Sequence, residues 1–118
     1  MYRGTSYASA FEVVQSQAFD VLRIRQLQEL TGQGRQGVFL TTQEATGQFY
    51  ADIAGMHGRG LGPAVVQMEV LTSELEAFLQ KHQIPFETPV DRLPWQTETL
   101  IPFEAASEFE SFCRFFHH

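Results

Sequence analysis

Gln96 and Glu98 stand two positions apart in an extended-looking segment, Gln96-Thr97-Glu98-Thr99-Leu100-Ile101-Pro102-Phe103. On a strand such residues project to one side, so an amide and a carboxylate face the same cleft. A carboxylate there orients a ribose hydroxyl and stabilises developing positive charge, and the amide presents a nucleophile or substrate. Two other segments supply complementary chemistry. In Tyr2-Arg3-Gly4-Thr5-Ser6 a strand-borne Arg can hold a phosphate in bidentate fashion, and a Gly lets a ligand come close to the backbone. In Val38-Phe39-Leu40-Thr41-Thr42, followed by Phe49 and Tyr50, hydroxyls at a strand's end orient a polar site and aromatic faces sandwich a flat ring. Each segment also has a plain structural use: an Arg on an edge strand, a Thr cap between strand and helix, a solvated polar stripe.

The elements that must position these residues follow from periodicity. Tyr2–Ser6 reads as a first strand. From Ala10 to Leu30, Phe11, Val14, Ala18, Val21, Leu22 and Leu27 recur at helical spacing, up to the break at Thr31-Gly32-Gln33-Gly34. Gly37–Thr41 reads as a buried strand. Thr41 and Glu44 have capping-box spacing, which opens a helix with Ala45, Phe49 and Ile53 on one face, ended by Gly55. Ala64–Leu71 is a strand with Val66, Met68 and Val70 on one side, and Ser73 with Glu76 caps a helix carrying Leu75, Phe78 and Leu79. Pro85, Pro89 and Pro94 mark a loop with extended pieces, and Thr97–Phe103 is a strand. Phe109, Phe112 and Phe116 fit either a helix or a final strand. The class is α+β, with helices mostly early and strands mostly late.

The 118 residues suit one domain, read as residues 1–116 with His117-His118 as a tag remnant. A hydrophobic content of 43% suffices for one core, which argues against disorder. The net charge of −6 gives no broad basic face for a nucleic-acid backbone. The lone Cys113 excludes an intrachain disulfide and a cysteine metal site, so the domain suits a reducing cytosol. No apolar run approaches the roughly 20 residues of a membrane span, and no signal peptide opens the chain.

Taken in order, the three segments resemble the ADP-ribosyltransferase superfamily. Tyr2-Arg3-Gly4-Thr5 is similar to its first-strand motif, in which Arg or His precedes Gly and Thr. Gly37-Val38-Phe39-Leu40-Thr41-Thr42 resembles its aromatic-Ser-Thr-Ser strand, with Leu40 at the first Ser. Phe39 and Tyr50 have the spacing of the two nicotinamide-stacking tyrosines of the diphtheria-toxin-like branch. Gln96-Thr97-Glu98 is similar to the Gln/Glu-x-Glu turn. The resemblance implies a split β-sandwich with peripheral helices and NAD as substrate. It implies Glu98 as the catalytic carboxylate, Gln96 as the residue that helps select the acceptor, and Arg3 on the NAD phosphate or ribose. It further implies Gly4 and Thr5 beside the nicotinamide, Thr41 and Thr42 supporting the pocket, and Trp95 touching a macromolecular acceptor. The expected function is mono-ADP-ribosyl transfer by a toxin or effector domain acting in a target cytosol after delivery as part of a larger chain. NAD hydrolysis, and a non-enzymatic partner-binding domain such as an immunity protein, are the competing readings; a toxin would in turn have a cognate immunity protein as partner.

Other residues carry less. Glu108-Phe109-Glu110 repeats the acidic spacing, but the apolar strand Leu100-Ile101 directly follows Glu98 and favours that residue. The glycine-rich loop around His57 and Arg59 lacks a Walker ending. His57 and His82 have no ligand-like neighbours, and Cys113 reads as a buried structural thiol.

Overall fold

The computed structural model describes residues 1–32, 34–57, 61–90 and 93–118, so Gly58, Arg59 and Gly60 of the glycine-rich loop lie outside the described residues. Two small antiparallel sheets form an α+β fold. The first has the order β1-β3-β6, from β1 (Tyr2–Ser6), β3 (Pro63–Val70) and β6 (Cys113–His117). The second has the order β2-β5-β4, from β2 (Val38–Leu40), β5 (Leu93–Ile101) and β4 (Thr88–Val90). Alternation along β3 explains its placement: Val66 and Met68 are buried while Pro63 and Glu69 are exposed. A bridge joins the sheets, where the Tyr2 N–H donates to the Thr41 carbonyl at 2.7 Å and the Thr41 N–H returns to the Tyr2 carbonyl at 3.0 Å. Arg3 is therefore next to the end of β2, where Thr41 bridges Tyr2.

The core lies where both sheets meet α5 (Phe103–Ser111) and α4 (Thr72–Lys81). Phe19, Phe78, Phe109 and Phe115 pack there, with Phe19 edge-on to Phe115 at 4.9 Å. The Phe-rich tail thus divides between both options its spacing allowed: α5 holds Phe109, and β6 holds Phe115 and Phe116. His117 completes β6 opposite Val66.

Several elements differ from the periodic reading. The long early helix is two helices, α1 (Tyr7–Ser16) and α2 (Val21–Thr31), separated where Gln17 adopts φ 57°. The Gln17 side chain explains the break, since its amide donates to the Phe115 carbonyl at 2.9 Å and its oxygen accepts the Phe115 N–H at 2.9 Å. Gln28 on α2 treats Gly37 the same way, at 2.8 and 3.0 Å. α3 (Glu44–His57) runs past Gly55, and its Phe49 and Ile53 are exposed. Its inner face is instead Thr46, Gly47 and Ala51, small residues that let the helix lie close to β1. α4 begins at Thr72 with Leu71 at its cap and no side-chain cap bond, so Ser73 lies within the helix. β5 begins at Leu93 and ends at Ile101, and Phe103 opens α5 rather than extending the strand. Helices and strands consequently interleave along the whole chain.

Candidate active site

Glu98 lies mid-way along β5, opposite Thr88 of β4, with only 4% of its surface exposed. A carboxylate so enclosed needs partners, and it has them. The Tyr50 hydroxyl, from α3, donates to Oε2 at 2.5 Å. Arg35, from the turn before β2, places Nη1 3.4 Å from Oε1. The Arg35 guanidinium also lies over the Phe39 ring, with Cζ 5.6 Å from the centroid, within cation–π range. The main chain of Phe39 is held in turn by Arg3, whose Nη1 donates to its carbonyl at 3.2 Å. The circle closes through β1, because Gly4 abuts the backbone of Gly47, Tyr50 and Ala51. Arg3, Phe39, Tyr50 and Glu98, spread over 96 positions of sequence, are thus linked by contacts through Arg35 and α3.

Arg3 is the most constrained member. Burial lowers its guanidinium from the ordinary arginine value, and the negative charge of Asp20 opposes that shift. Its Nε is buried with no hydrogen-bond partner. A buried, unsatisfied donor costs about 1–3 kcal/mol, a cost that a ligand oxygen would offset. Gln96 presents a similar vacancy of bonding, since its Oε1 is buried and unpartnered. It sits in the irregular stretch of β5 between the Pro89–Thr97 and Val90–Leu93 pairs. Trp95, beside it, is 68% exposed.

The opposite side of β5 is anchored by residues that fix the strand's position. Thr41 Oγ1 donates to the Thr97 carbonyl at 2.7 Å and accepts the Gln43 N–H at 3.0 Å, which ties the end of β2 to β5 and to the start of α3. The Gln43 side chain accepts both the Thr97 N–H and the Thr46 hydroxyl. Glu87 accepts hydrogen bonds from the Thr97 and Thr99 hydroxyls and from the Thr42 N–H, while its own N–H donates to Thr99 Oγ1. Thr5 is buried on β1 opposite Ala64.

No protein-family model, curated protein or solved structure matches the chain. Of the residues singled out by sequence, Arg3, Gly4, Phe39, Thr41, Tyr50 and Glu98 fall around the junction of the two sheets, Gln96 and Trp95 lie further along β5, and Thr42 meets Glu87 at the protein surface. The space that a Cβ would take at Gly4 is filled by the α3 backbone, with Gly47 O at 2.0 Å, so the close approach this glycine permits is to a helix.

The second acidic pair has structural partners. Glu110 accepts the Phe19 N–H at 2.6 Å, and burial raises its pKa, partly opposed by that hydrogen bond. Glu108 pairs with Lys81 at 2.7 Å and His82 at 2.8 Å. Sequence reasoning missed Arg35, Gln43 and Glu87. Arg35 lies in a polar Gly34-Arg35-Gln36-Gly37 turn, whose composition signals a turn and nothing more. Among the described residues there is no cluster of metal ligands, and no helix is long and apolar enough to cross a membrane.

Proposed function

We propose that this protein is an NAD-dependent mono-ADP-ribosyltransferase of the split-β-sandwich type, a toxin or effector domain that modifies a macromolecule in a target cytosol. The observation that supports this most directly is the enclosed Glu98 carboxylate, held by Tyr50 and Arg35 at the meeting of the two sheets, with Arg3 and Phe39 on the same chain of contacts. In the proposed reaction the bond between nicotinamide nitrogen and ribose C1′ breaks, and its electron pair leaves with nicotinamide. The oxocarbenium charge that develops faces Glu98. A nucleophile of the acceptor then bonds to C1′ and releases its proton. Glu98 accelerates the step because its attraction for the ribose grows as the charge develops.

Transfer is favoured over hydrolysis by the neighbours of Glu98. Exposed Trp95 lies on the same strand and offers an apolar contact to an incoming macromolecule, with Gln96 beside it. The test is Glu98→Gln, which keeps the shape and removes the charge. NAD affinity should remain within about twofold, and turnover should fall by about 10² or more. Gln96→Ala should reduce labelling of an acceptor and spare slow NAD hydrolysis. Glu110→Gln is the control and should keep turnover. Wild-type protein that neither binds nor consumes millimolar NAD would refute the proposal and leave a partner-binding role. Consumption without any acceptor labelled would make it a glycohydrolase.

A further inference from the structure

We propose that Arg35 is a built-in stand-in for the flat cationic ring of the substrate, and that the site selects a planar aromatic cation by exchanging it for this side chain. The inference deepens the NAD reading above and rests on it. The nicotinamide of oxidised NAD is a planar ring with a positive charge. A guanidinium is also planar, positively charged and weakly hydrated. Arg35 uses two features of the site that would suit such a ring. It lies over the face of Phe39 at 5.6 Å, and it is paired with the Glu98 carboxylate at 3.4 Å.

The two partners differ in how firmly they are held. The Glu98 side chain is 5% exposed and is also bound by Tyr50, whereas the Arg35 side chain is 51% exposed. The carboxylate therefore stays while the exposed guanidinium can move into water when another cation takes its place at Glu98. Its N···O distance is longer than the roughly 2.7–2.9 Å of a strong charge-assisted bond, so little holds it. Arg35 also borders a cavity of ≈ 210 Å³ with Ile84, Leu100 and Pro102, which gives its aliphatic stem room beside the site.

The exchange depends on charge, and the reaction changes that charge. Bound in NAD, the ring carries its positive charge and competes with Arg35 for both Phe39 and Glu98. Once the bond to ribose breaks, nicotinamide takes the electron pair and is neutral. It then loses the attraction to the carboxylate and most of that to the ring face. Arg35 regains its place, and the product leaves. The same competition discriminates against neutral rings from the start.

The test uses 1-methylnicotinamide, a planar cation without phosphates, and neutral nicotinamide, titrated by calorimetry into wild type, Arg35→Ala and Arg35→Gln. Removing the competitor should tighten binding of the cation about tenfold, as expected when a binding-competent state is fully populated instead of being held as a minor one. Neutral nicotinamide should remain much weaker than the cation in all three proteins and gain no more than the cation does, since it forms no ion pair with Glu98. Arg35→Gln covers the case in which Arg35→Ala fails to fold, because it keeps the length and polarity of the side chain. A folded variant that binds the cation no tighter than wild type overturns the inference, and NAD turnover by wild type in the same experiment leaves the functional reading standing. If wild type does not consume NAD and neither protein binds the cation, the functional reading falls and this inference with it.

Discussion

Gly4→Ala is expected to destabilise the fold severely, although the glycine has no side chain in the site. A Cβ at this position would sit 2.0 Å from Gly47 O, 2.3 Å from Ala51 N and 2.8 Å from Tyr50 C. All three are backbone atoms of α3, so no side-chain rotation relieves them. To bring the shortest contact to the 3.0 Å that real Cβ atoms respect, β1 and α3 must separate by roughly 1 Å, in an interior packed as densely as an organic crystal. Overpacking costs about 1–3 kcal/mol and sometimes more. Three simultaneous backbone clashes put Gly4→Ala at about 3 kcal/mol or above on that scale. For a domain of this length that lowers Tm by about 12 °C, taking about 4 °C per kcal/mol. Two other glycines provide the scale. Gly32 has φ 68° and open space around it, so Gly32→Ala should cost only the left-handed penalty of about 1–2 kcal/mol. Gly34 has open space and no positive φ, and Gly34→Ala should change stability by less than about 1 kcal/mol, in the stabilising direction. Urea unfolding followed by far-UV circular dichroism measures all three. A Gly4→Ala protein as stable as Gly32→Ala would refute the packing argument, and the same stable protein with NAD binding lost would show that the glycine serves the ligand.

Two further outcomes follow from the titrating groups. Burial pushes the Cys113 thiol up to about 12, with the positive N-terminus opposing that shift, so a disulfide reagent at pH 8 should label native protein slowly and urea-unfolded protein at the rate of a free thiol; equal rates would refute the burial. Glu108 and Glu110 should give stability–pH slopes of opposite sign. The Lys81 hydrogen bond, then that of His82, lowers the Glu108 pKa below 4.5, so its stabilising contribution is present above that value and is lost as pH falls through the lowered folded one. Burial raises the Glu110 pKa above 4.5, so the native state binds the extra proton and stability falls as pH rises through that window. Thermal melts across pH 3–7 should therefore show Glu108→Gln reducing the acid-side loss and Glu110→Gln removing the decline above pH 4.5. Identical slopes in both variants would refute the assignments.

The strands that carry the candidate site were legible because their sequences alternate or contain chemistry at a spacing of two. β1, β2 and β3 lie within a residue of where the pattern put them, and Thr41 marks the turn into α3. The helices were less legible, for a physical reason. A helical period cannot tell which face is buried when the buried side is made of small residues. On α3 the large apolar residues Phe49 and Ile53 face outward, while Thr46, Gly47 and Ala51 pack against β1. The break at Gln17 was invisible for another reason: its cause, Phe115, lies 98 residues away. Arg35 escaped notice in the same way, since Glu98 gives it meaning only after β2 and β5 have paired.

The two glutamine contacts have a consequence beyond the local chain path. In the sheet orders, β6 and β2 each end a sheet, and β2 meets β1 only at the Tyr2–Thr41 bridge. Open flanks of a sheet are templates on which another polypeptide can add a strand, the first step toward aggregation. The Gln17 amide accepts and donates to the main chain of Phe115, and the Gln28 amide does so to Gly37. A primary amide has the same donor and acceptor as a peptide group, so each glutamine imitates one residue of a missing strand. The imitation stops after one residue, which satisfies the flank without offering a continuing ladder to a second molecule. Gln17 and Gln28 thus occupy, with side chains from the ends of two helices, the main-chain groups of Phe115 and Gly37 that an added strand would have to pair.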